Sequence, residues 1–571
     1  MSSFKAYGKV SESDQAKLDA RRKTCKRVAI ISISSIVLVC VVVAAVVGTA
    51  THNSKKGDDS GKGTLSASVK AVCDVTLYQD SCYSSLGPVV NTSNFKPEDL
   101  FKLSIQVAIA ELSKAAAQIS DQGLFNGTVT DKLSVAALKN CGELLGLALD
   151  HLNESLSGDG SLLEVVEDLK TWLSSAGTYQ QSCVDGFDDA KGELKDTIEK
   201  YLKTSTELTS NSLAIVSWIS KVANSVKLRR LLSHNGTATS HGIPEWLHQT
   251  DRRLIESSDL RKKANIVVAK DGSGKYKTIG DALKAVPDKS KKRTVIYVKK
   301  GVYFENVRVE KSKWNVVVVG DGMTATIVSS SLNVVDGTPT FSSATFAVFG
   351  KGFVARDIGF RNTAGAAKHQ AVALMSSADQ TVFYRCRIDA FQDSLYVHAN
   401  RQFYRECDIY GTVDFIFGNS AVVLQNCKVF PRVPMTGQQN TITAQGKIDP
   451  NQNTGVSFQN CTILPFGDLS SVKTYLGRPW KNYSTTVYMQ TFMGSLIHPD
   501  GWLPWVGTTA PDTIFYSEYQ NFGPGSVTKN RVKWKGLKTI TSKVASKFTV
   551  HSFLQGSKWI SDGSVPYKSK L

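Results

Sequence analysis

The sequence predicts an α-helical bundle followed by a parallel β-solenoid, both C-terminal to one apolar segment. Amphipathic periodicity over residues 69–223 predicts the bundle, and short β-branched segments that recur every 20–21 residues in the C-terminal half predict the solenoid. A run of 23 uncharged residues, 28–50, predicts the apolar segment. With 571 residues, 42% of them hydrophobic, the chain can bury the cores of both domains.

The apolar segment is long enough to cross a membrane. As a helix, residues 28–50 would extend roughly 35 Å, which exceeds the thickness of a bilayer core. The preceding tail, residues 1–27, ends in a cluster of Lys and Arg residues, and such charges stay on the cytosolic side. We therefore expect a signal anchor, then a polar linker at 51–68, with the rest of the chain translocated.

The helical region carries three apolar stripes at helical spacing. They comprise Leu100, Leu103, Val107 and Leu112; Val135, Leu138, Leu145, Leu149 and Leu152; and Leu162, Val166, Leu169 and Leu173. Amphipathic helices with short connections pack as an antiparallel bundle, and we expect four helices here. Two disulfides are compatible with this arrangement, Cys73–Cys82 and Cys141–Cys183.

Residues 224–263 lose the helical periodicity and are interpreted as a linker between the domains. The linker contains two similar runs, Arg229-Arg230-Leu231-Leu232 and Arg252-Arg253-Leu254-Ile255. Basic pairs in a polar linker are often only solvated charge. Two similar pairs between two domains of a translocated chain favour proteolytic processing, so we expect a cut at one of them.

The solenoid is predicted for residues 264–571 from a weak internal repeat. Three of its cysteines, Cys386, Cys407 and Cys427, are separated by 21 and 20 residues. Such a period in β-type sequence predicts coils that stack about 4.8 Å apart. Cysteines one coil apart then have the Cα separation of a disulfide, and the period leaves Cys386–Cys407 and Cys407–Cys427 both open.

The two domains carry opposite net charge. Residues 264–571 hold 37 Lys and Arg against 20 Asp and Glu, a net charge of +17, whereas residues 73–220 hold 10 against 21, a net charge of −11. Domains of opposite charge attract each other. The basic domain is also expected to bind a polyanion, for which cell-surface polysaccharide serves as well as nucleic acid.

Six glycosylation sequons agree with passage through the secretory pathway: Asn91, Asn126, Asn153, Asn235, Asn460 and Asn482. The eight cysteines that follow the apolar segment would then meet an oxidising compartment. No cysteines or histidines have the spacing of a zinc site, so we expect no metal.

Two aspartates follow the same period as the cysteines. Asp393 and Asp414 are 21 residues apart, so the solenoid would stack them on one face about one strand spacing apart. Two carboxyl groups that close cannot both ionise easily, so the pKa of one rises. This division provides one anionic nucleophile or base and one protonated acid; the alternative is a pair of solvated turn residues.

Six separated segments resemble the pectin methylesterase family, in order and in spacing, over nearly all of residues 264–571. They are Gly301-Val-Tyr-Phe-Glu305, Gln370-Ala-Val-Ala-Leu374, Phe391-Gln-Asp-Ser-Leu-Tyr396, Asp414-Phe-Ile-Phe-Gly418, Tyr475-Leu-Gly-Arg-Pro-Trp480 and Gly501-Trp-Leu-Pro-Trp505. The family often has Tyr and Thr where this chain has Phe391 and Ser394, and neither change affects the acid. The resemblance implies a right-handed parallel β-helix that hydrolyses the C6 methyl esters of homogalacturonan to pectate and methanol, in modification of the plant cell wall.

The resemblance also implies a role for each residue. Asp414 would be the nucleophile, Asp393 the proton donor and then the base, and Arg478 the group that orients Asp414. Gln370 and Gln392 would stabilise the oxyanion. The substrate contacts that it implies are Thr340, Gln370, Tyr396, Phe417, Arg478 and Trp480, and the disulfide that it implies is Cys407–Cys427.

The helical region, with its pairs Cys73–Cys82 and Cys141–Cys183, resembles the plant invertase/pectin methylesterase inhibitor domain. It would be a pro-domain that binds the enzyme and is removed at the basic pairs. The implied partners are pectin, this pro-domain, separate inhibitor proteins, a processing protease and, before cleavage, the membrane. We expect a monomer secreted to the cell wall, with no cofactor and no bound nucleic acid.

Two other functions compete with this one. A pectin depolymerase, either a glycosidase or a lyase, could use paired carboxylates on the same scaffold. A regulatory protein could act through the bundle alone with an inactive β-helix, but the intact set of Asp393, Asp414, Gln370, Gln392 and Arg478 argues against it. A phosphate loop at residues 272–275 lacks its first Gly and its Ser/Thr, and no GxSxG elbow supports a serine hydrolase.

Overall fold

The computed structural model describes residues 67–88, 97–120, 131–157, 162–188, 193–232, 260–560 and 565–571. The cytosolic tail, the apolar segment at 28–50 and most of the linker that follows it lie outside these ranges, as does the second basic pair, Arg252–Arg253. Within the described ranges, no helix is both long and apolar enough to span a bilayer.

In the part of the N-terminal domain that the structure describes, four long and two short helices are present. They are α1 (Ala67–Cys73), α2 (Gln79–Leu86), α3 (Pro97–Ser120), α4 (Lys132–Ser157), α5 (Leu162–Asp185) and α6 (Leu194–Leu232). The three predicted apolar stripes meet in one core, where Leu112, Leu145 and Leu173 are fully buried. Val135 is the exception: it is 51% exposed and does not join this core, which corrects its place in the second stripe. The pairs Cys73–Cys82 and Cys141–Cys183 form disulfides, which confirms both pairings.

Helix α6 continues beyond the predicted end of the bundle. It runs to Leu232, so the first basic pair, Arg229–Arg230, lies in its last turn and not in an unstructured linker. The apolar periodicity fades before this point, but Lys, Leu and Arg are good helix formers and no Gly or Pro interrupts the chain before Gly236. Helix propensity therefore extends the helix where the amphipathic pattern does not predict it.

Parallel strands form three sheets in the C-terminal domain. The eleven-stranded sheet consists of β1 (Ile266–Val268), β2 (Thr294–Val298), β5 (Val316–Val319), β8 (Val354–Arg356), β11 (Thr381–Tyr384), β14 (Arg401–Arg405), β17 (Ala421–Gln425), β20 (Gly455–Gln459), β23 (Thr485–Met489), β25 (Phe515–Tyr519) and β26 (Leu537–Lys538). The eight-stranded sheet consists of β3 (Gly301–Phe304), β6 (Thr326–Ser330), β9 (Gly359–Asn362), β12 (Arg387–Asp389), β15 (Asp408–Gly411), β18 (Lys428–Pro431), β21 (Thr462–Ile463) and β24 (Phe492–Met493). The seven-stranded sheet consists of β4 (Val307–Val309), β7 (Phe346–Val348), β10 (Leu374–Ser376), β13 (Leu395–Val397), β16 (Ile416–Gly418), β19 (Asn440–Gln445) and β22 (Thr474–Pro479).

Three short helices accompany the sheets. They are α7 (Ile279–Lys284), α8 (Ser542–Ala545) and α9 (Val550–Leu554). At the start of helix α7, the N-cap Thr278 accepts a hydrogen bond from the backbone N–H of Asp281.

Each coil passes in turn through the eleven-, eight- and seven-stranded sheets, as a parallel β-helix requires. Val382 pairs with Phe403 and Phe403 with Val423, which confirms the predicted coils of 21 and 20 residues. The next coil is longer, because Val423 pairs with Ser457. Inside the coils, aromatic rings stack in the direction of the helix axis, with the Phe383 and Tyr404 centroids 4.7 Å apart.

A single left-handed residue turns the chain from the eleven- to the eight-stranded sheet in coil after coil. These residues are Asp357, Arg385, Glu406, Asn426, Asn460 and Gln490. Gln520 has the same conformation after β25, where only an isolated bridge between Phe522 and Phe492 of β24 follows. The left-handed conformation redirects the backbone within one residue, so the two strands follow each other without a loop. This repeated turn keeps successive coils in register.

The disulfide Cys407–Cys427 is not formed, which corrects that prediction. Cys386, Cys407, Cys427 and Cys461 are buried free thiols, stacked in register one coil apart. In-register side chains of parallel strands point the same way, so their Cβ atoms stay about 4.8 Å apart, beyond the 3.5–4.5 Å that a disulfide needs. A suitable Cα separation alone is therefore not enough to predict a disulfide between neighbouring coils. The Cys407 thiol donates instead to the Phe383 carbonyl, at 3.3 Å.

The bundle covers the outer face of the seven-stranded sheet. Met375, Tyr396 and Phe417 of this sheet pack into the same apolar cluster as the bundle core. Between the described residues of the two domains, five ion pairs cross the boundary: Glu143–Arg308, Asp150–Lys311, Glu154–Lys351, Asp168–Arg401 and Asp185–Lys481. In each pair the acid belongs to the bundle and the base to the β-helix, in agreement with the attraction that the opposite net charges predict.

Truncation of a stacked core ring should destabilise the β-helix far more than truncation of a surface ring. Phe383→Ala leaves a cavity in the aromatic stack and should lower the free energy of unfolding by about 3–5 kcal/mol. Phe304, which is 77% exposed, provides the control, and Phe304→Ala should change the unfolding free energy by less than about 0.5 kcal/mol. Urea unfolding followed by tryptophan fluorescence measures both; equal effects would refute the stacked core.

Candidate active site

A cavity of about 260 Å³ lies between the seven-stranded sheet and the bundle. From the β-helix it is lined by Thr340, Gln370, Gln392, Asp393, Tyr396, Asp414, Phe417, Arg478 and Trp480, among others. These nine residues are the complete set of catalytic and substrate-contacting residues predicted from the sequence. The fold therefore brings together residues that span 141 positions of the chain.

Asp393 and Asp414 occupy equivalent positions in successive coils. Each lies two residues before a strand of the seven-stranded sheet, and the first residues of these strands, Leu395 and Ile416, pair with each other. The two side chains are thus stacked at one coil spacing, about 4.8 Å. Both residues have a left-handed backbone, with φ of 61° and 51°, a conformation that Asp tolerates better than most residues.

Two neighbours fix the carboxylate of Asp414. The Arg478 guanidinium donates from Nε to Oδ1 at 2.9 Å and from Nη2 to Oδ2 at 2.6 Å. Thr441 donates its hydroxyl to Oδ1 at 2.6 Å and accepts the backbone N–H of Asp414 at 2.8 Å. A forked guanidinium and a hydroxyl together hold the carboxylate in one orientation.

Asp393 has a different environment although its backbone position is the same. It is 8% exposed. Burial and then the negative charge of Asp414 raise the pKa of Asp393 well above its usual range, and Arg478 offsets only part of this effect. Asp393 is therefore suited to hold a proton beside a charged Asp414, which is the division predicted from the 21-residue spacing.

Gln370 and Gln392 border the cavity from two consecutive coils. Their loops are joined because the N–H of Ala371 donates to the Gln392 carbonyl at 3.3 Å. The Gln370 carbonyl in turn accepts from the N–H of Val334 at 3.1 Å, which ties this loop to the segment before Thr340. The two side-chain amides supply uncharged N–H donors next to the carboxyl pair.

Aromatic rings line the cavity beside the carboxyl pair. Tyr396 and Phe417 stack with centroids 4.2 Å apart, and Trp480 lies 6.3 Å from Phe417. The guanidinium of Arg478 lies 4.3 Å from the ring centroid of Trp505, which is itself 6.4 Å from Trp480. This row of rings provides flat apolar surface of the kind that packs against a sugar ring.

Two residues of the site, Thr441 and Trp505, are not predicted by the sequence patterns. Trp505 is the last residue of the sixth family segment, so its place in the site could have been predicted from that segment. Thr441 lies 27 residues after Asp414, because the coil between them is longer than the 21-residue period. Only the strand register, in which Ile416 pairs with Thr443, brings Thr441 opposite Asp414.

The bundle contributes the other wall of the cavity. Asp185 at the end of α5 forms an ion pair with Lys481 at 2.6 Å and accepts a hydrogen bond from Gln181 at 2.8 Å. Burial raises the pKa of Asp185, while Lys481 and Gln181 partly offset the rise. The Ser182 hydroxyl oxygen lies 2.9 Å from Nε2 of His398, which directly follows β13, the strand that begins two residues after Asp393.

Three of the predicted glycosylation sites fall in described ranges, and all three are exposed: Asn153, Asn460 and Asn482. Asn91, Asn126 and Asn235 lie outside these ranges. Among the described residues, no group of three His, Cys, Asp or Glu side chains is arranged to hold a metal ion.

The fold and the site define a parallel β-helix that holds two stacked carboxyl groups in a cavity, an arrangement suited to acid–base and nucleophilic chemistry. Two family models match the chain: the pectinesterase family over residues 265–557, and the plant invertase/pectin methylesterase inhibitor family over residues 67–215. The two matches correspond to the β-helix and to the bundle, respectively.

Known relatives match both domains together. A probable pectinesterase/pectinesterase inhibitor 46 of Arabidopsis thaliana is 59% identical over 99% of both chains, and pectinesterase 3 of Phaseolus vulgaris is 49% identical over 100% of this chain and 99% of its own. The solved structure of pectin methylesterase from carrot is 56% identical and covers 54% of this chain and 98% of its own, with a TM-score of 0.53. The chain therefore belongs to the pectinesterase family, with an inhibitor-type domain ahead of the enzyme domain.

Replacement of Asp393 should make stability less dependent on pH. The folded-state pKa of Asp393 is raised, so between the unfolded value of about 3.9 and the folded value the folded state keeps a proton that the unfolded state releases. The wild type thus loses stability as pH rises through this window, and Asp393→Asn does not. The melting temperature of the variant, relative to wild type, should increase from pH 4 upward in differential scanning fluorimetry.

Asp468 provides a control of opposite sign. Hydrogen bonds from Ser470 lower the pKa of this exposed carboxyl, so Asp468→Asn should not gain relative stability as pH rises. A difference between Asp393→Asn and wild type that stays constant from pH 4 to pH 8 would contradict the raised pKa of Asp393.

Proposed function

We propose that this pectinesterase hydrolyses the C6 methyl esters of homogalacturonan with Asp414 as the nucleophile and Asp393 as the acid and then the base. The observation that carries the proposal is the contrast between two stacked carboxyl groups: Asp414 is clamped by Arg478, whereas Asp393 is buried with a raised pKa. The pectinesterase family and the relatives named above supply the reaction class and the polymer.

The first half of the reaction forms an acyl-enzyme. An oxygen of Asp414 attacks the ester carbonyl carbon, and the carbonyl oxygen becomes an oxyanion. The amides of Gln370 and Gln392 donate hydrogen bonds to this oxygen. The bond to the methoxy oxygen then breaks while Asp393 gives it a proton, so methanol departs and not methoxide, which is a poor leaving group.

The second half restores the enzyme. Asp393, now a carboxylate, removes a proton from a water molecule, which attacks the acyl carbon. Asp414 departs from the acyl carbon as a free carboxylate, and Asp393 is again protonated. The product is released as a carboxylic acid, which then loses its own proton to solvent and becomes galacturonate. Arg478 keeps Asp414 oriented in both halves, and Thr441 supports it through the hydrogen bond to Oδ1.

The sugar contacts follow from the lining of the cavity. Trp480, Tyr396 and Phe417 form the apolar wall against which a galacturonosyl ring would pack, and Thr340 faces them from the loop before β7. No part of this assignment needs a metal or an organic cofactor, because the ester carbonyl is activated by neutral donors and the leaving group by a protonated carboxyl.

We also propose that the bundle is an inhibitory pro-domain. Asp185 and Ser182 line the same cavity as the carboxyl pair, and the bundle covers the sheet face over which a polymer would have to pass. A cut at Arg229–Leu232 would separate residues 69–223 from residues 264–571, although helix α6 includes this run. Unfolding of the last turn of α6, or use of the second basic pair, would give a processing protease access.

The apolar segment, the exposed sequons and the covered sheet face bear on where the protein is located and what it binds. The apolar segment at 28–50, after the tail 1–27 and before the linker 51–68, would anchor the precursor in the membrane, and processing would release a monomeric enzyme to the cell wall. Exposed Asn153, Asn460 and Asn482 are available for glycosylation on this route. Separate inhibitor proteins would compete for the sheet face that the bundle occupies here.

Loss of the nucleophile should abolish methanol release without unfolding the enzyme. The carrot chain, which matches the β-helix half alone, indicates that residues 260–571 fold by themselves. In this fragment Asp414→Ala should lower the rate of methanol release from methylated pectin roughly 10⁴-fold or more. Asp468→Asn, which removes an exposed carboxyl, should leave the rate unchanged.

The products distinguish this function from depolymerisation. The fragment should release methanol and acid while the number of reducing ends stays constant. New reducing ends or unsaturated uronides without methanol would refute esterase chemistry, and turnover by Asp414→Ala would refute the assigned nucleophile.

Loss of the Asp185–Lys481 ion pair should weaken inhibition in the full chain. Asp185→Asn leaves the ammonium group of Lys481 partly buried without its partner, which destabilises the docked state. Methanol release by the uncut full chain should rise roughly tenfold or more, whereas Asp196→Asn, at an exposed position of the same bundle, should not change it. An uncut wild-type chain that is as active as the released fragment would contradict an inhibitory bundle.

A further inference from the structure

A group of arginines and aromatic rings lies on the outer face of the eight-stranded sheet. We call Arg361, Arg387, Arg432, Tyr410, Phe430 and Phe466 the arginine–aromatic patch. In the strand register Arg361 pairs with Asp389, Asp389 with Tyr410 and Tyr410 with Phe430, so these four form one outward row across successive coils. Asp389 ends β12 and is only four residues before Asp393. The patch therefore adjoins the turn that carries Asp393, which we call the catalytic turn.

The patch holds three guanidinium groups around a single carboxylate. Asp389 is approached by Arg387 at 3.0 Å, by Arg432 at 3.0 Å and by Arg361 at 3.5 Å. Lys428 and Asp408 in the adjacent row add one charge of each sign, so the local excess is two positive charges. Burial lowers the pKa of Arg432, and Arg387 and Arg361 lower it further, against the attraction of Asp389. An additional anion at this place would relieve the repulsion.

The arginines are held flat against aromatic rings. The Arg387 guanidinium lies 4.2 Å from the centroid of Tyr410, and that of Arg432 lies 3.9 Å from Phe391 and 5.5 Å from Phe466. Tyr410 and Phe430 stack with centroids 4.7 Å apart. Phe466 is 44% exposed, an unusual position for a ring of this size. Tyr410 is buried, so Phe466 is the ring of the patch that a ligand can reach most freely. Cations fixed beside such a ring suit a ligand that offers both carboxylates and C–H surfaces, as a uronic acid does.

The patch repeats with the coil, and this favours a polymer over a small anion. Neighbouring strands are about 4.8 Å apart, so the charged and aromatic side chains form a ladder over at least three coils, from β12 to β18. A single small anion would use only one step of this ladder. A chain with a carboxylate on each unit would contact several.

The patch remains open when the bundle is docked. In the described ranges, the hydrogen bonds and ion pairs that we find between the bundle and the β-helix end on the seven-stranded sheet or its flanking turns, as those of Asn140 and Ser210 do, or on Arg401 at the start of β14, the partner of Asp168. In these ranges we find none that ends on a strand of the eight-stranded sheet. The eight-stranded sheet faces another direction. Access to the patch therefore does not require removal of the bundle.

We propose that the arginine–aromatic patch is a second binding site, outside the catalytic cleft, for de-esterified galacturonan. The identity of the polymer rests on the proposed function, since its reaction product is this polyanion. Binding there would hold the enzyme on stretches that already carry free carboxylates and would place the adjacent catalytic turn near remaining esters. It would also hold the uncut full chain on pectate while the catalytic cleft is covered.

Binding to the full chain tests the proposal without turnover. Isothermal titration calorimetry would measure the affinity of the wild-type full chain for an unesterified galacturonate hexamer at low salt. The double variant Arg387→Gln/Arg432→Gln should weaken binding at least tenfold. The matched control Lys291→Gln/Lys292→Gln removes the same charge from an exposed loop and should change the affinity less than twofold.

Two further measurements exclude a folding defect of the double variant and nonspecific attraction to any polyanion as explanations for the result. Phe466→Ala removes an exposed ring and no charge, and it should weaken binding about threefold or more even if the double variant were unstable. The fully methylated hexamer should bind at least tenfold more weakly than the unesterified one. Equal loss in the lysine control, unchanged binding in both patch variants, or equal affinity for polyglutamate of the same charge would overturn the proposal.

Measurement of methanol release beside hexamer binding distinguishes failure of the second site from failure of the esterase assignment. Methanol release by the fragment 260–571 reports the esterase reaction by itself. Release of methanol with no binding of the hexamer by the full chain would refute the second site alone, whereas binding of the hexamer without methanol release from the fragment would refute the proposed function alone.

Discussion

The parallel pairing of each coil with the next is the constraint on which the active site depends. Because Leu395 pairs with Ile416, Asp393 is held over Asp414, and neither can move away without loss of strand pairing. The same backbone turn, used twice, thus places two identical residues in different surroundings. Asp414 receives the guanidinium of Arg478, while Asp393 receives burial and a neighbouring negative charge. One carboxyl is suited to attack and the other to carry the proton.

The bundle is held on the same face mainly by apolar contact. Exposed or half-exposed ion pairs each contribute at most about 1 kcal/mol, so those of Glu143, Asp150 and Glu154 guide the approach of the domains more than they bind them. Burial of a side chain such as Tyr396 or Phe417 contributes roughly 1.5–3 kcal/mol each. The rings proposed to bind the sugar are therefore the ones that bind the bundle, and this overlap is the physical basis of the competition proposed between substrate and bundle.

Much of this arrangement could be predicted from the sequence, because period and motif act locally. The 21-residue spacing placed Asp393 on Asp414, and the six family segments contain the other predicted residues of the cavity with the exception of Thr340. Features that depend on distant pairing were missed. Thr441 is hidden by a longer coil, and Asp185 belongs to a different domain whose docking no local pattern encodes. The prediction of a Cys407–Cys427 disulfide was wrong because the Cα spacing does not include the direction of the side chains. The predicted end of α6 was wrong because helix-forming residues continue beyond the amphipathic pattern.

The central claim is that stacking on a charged Asp414 keeps Asp393 protonated. The most direct measurement is infrared titration of the full chain with ¹³C-labelled aspartate, in which a protonated buried carboxyl gives its own C=O band. The wild type should keep this band well above the pH at which an ordinary aspartate ionises, Asp393→Asn should lack it, and Asp414→Asn should shift its loss to lower pH because one cause of the raised pKa is gone. A band that titrates like an ordinary aspartate, or one that Asp414→Asn leaves unchanged, would contradict the account.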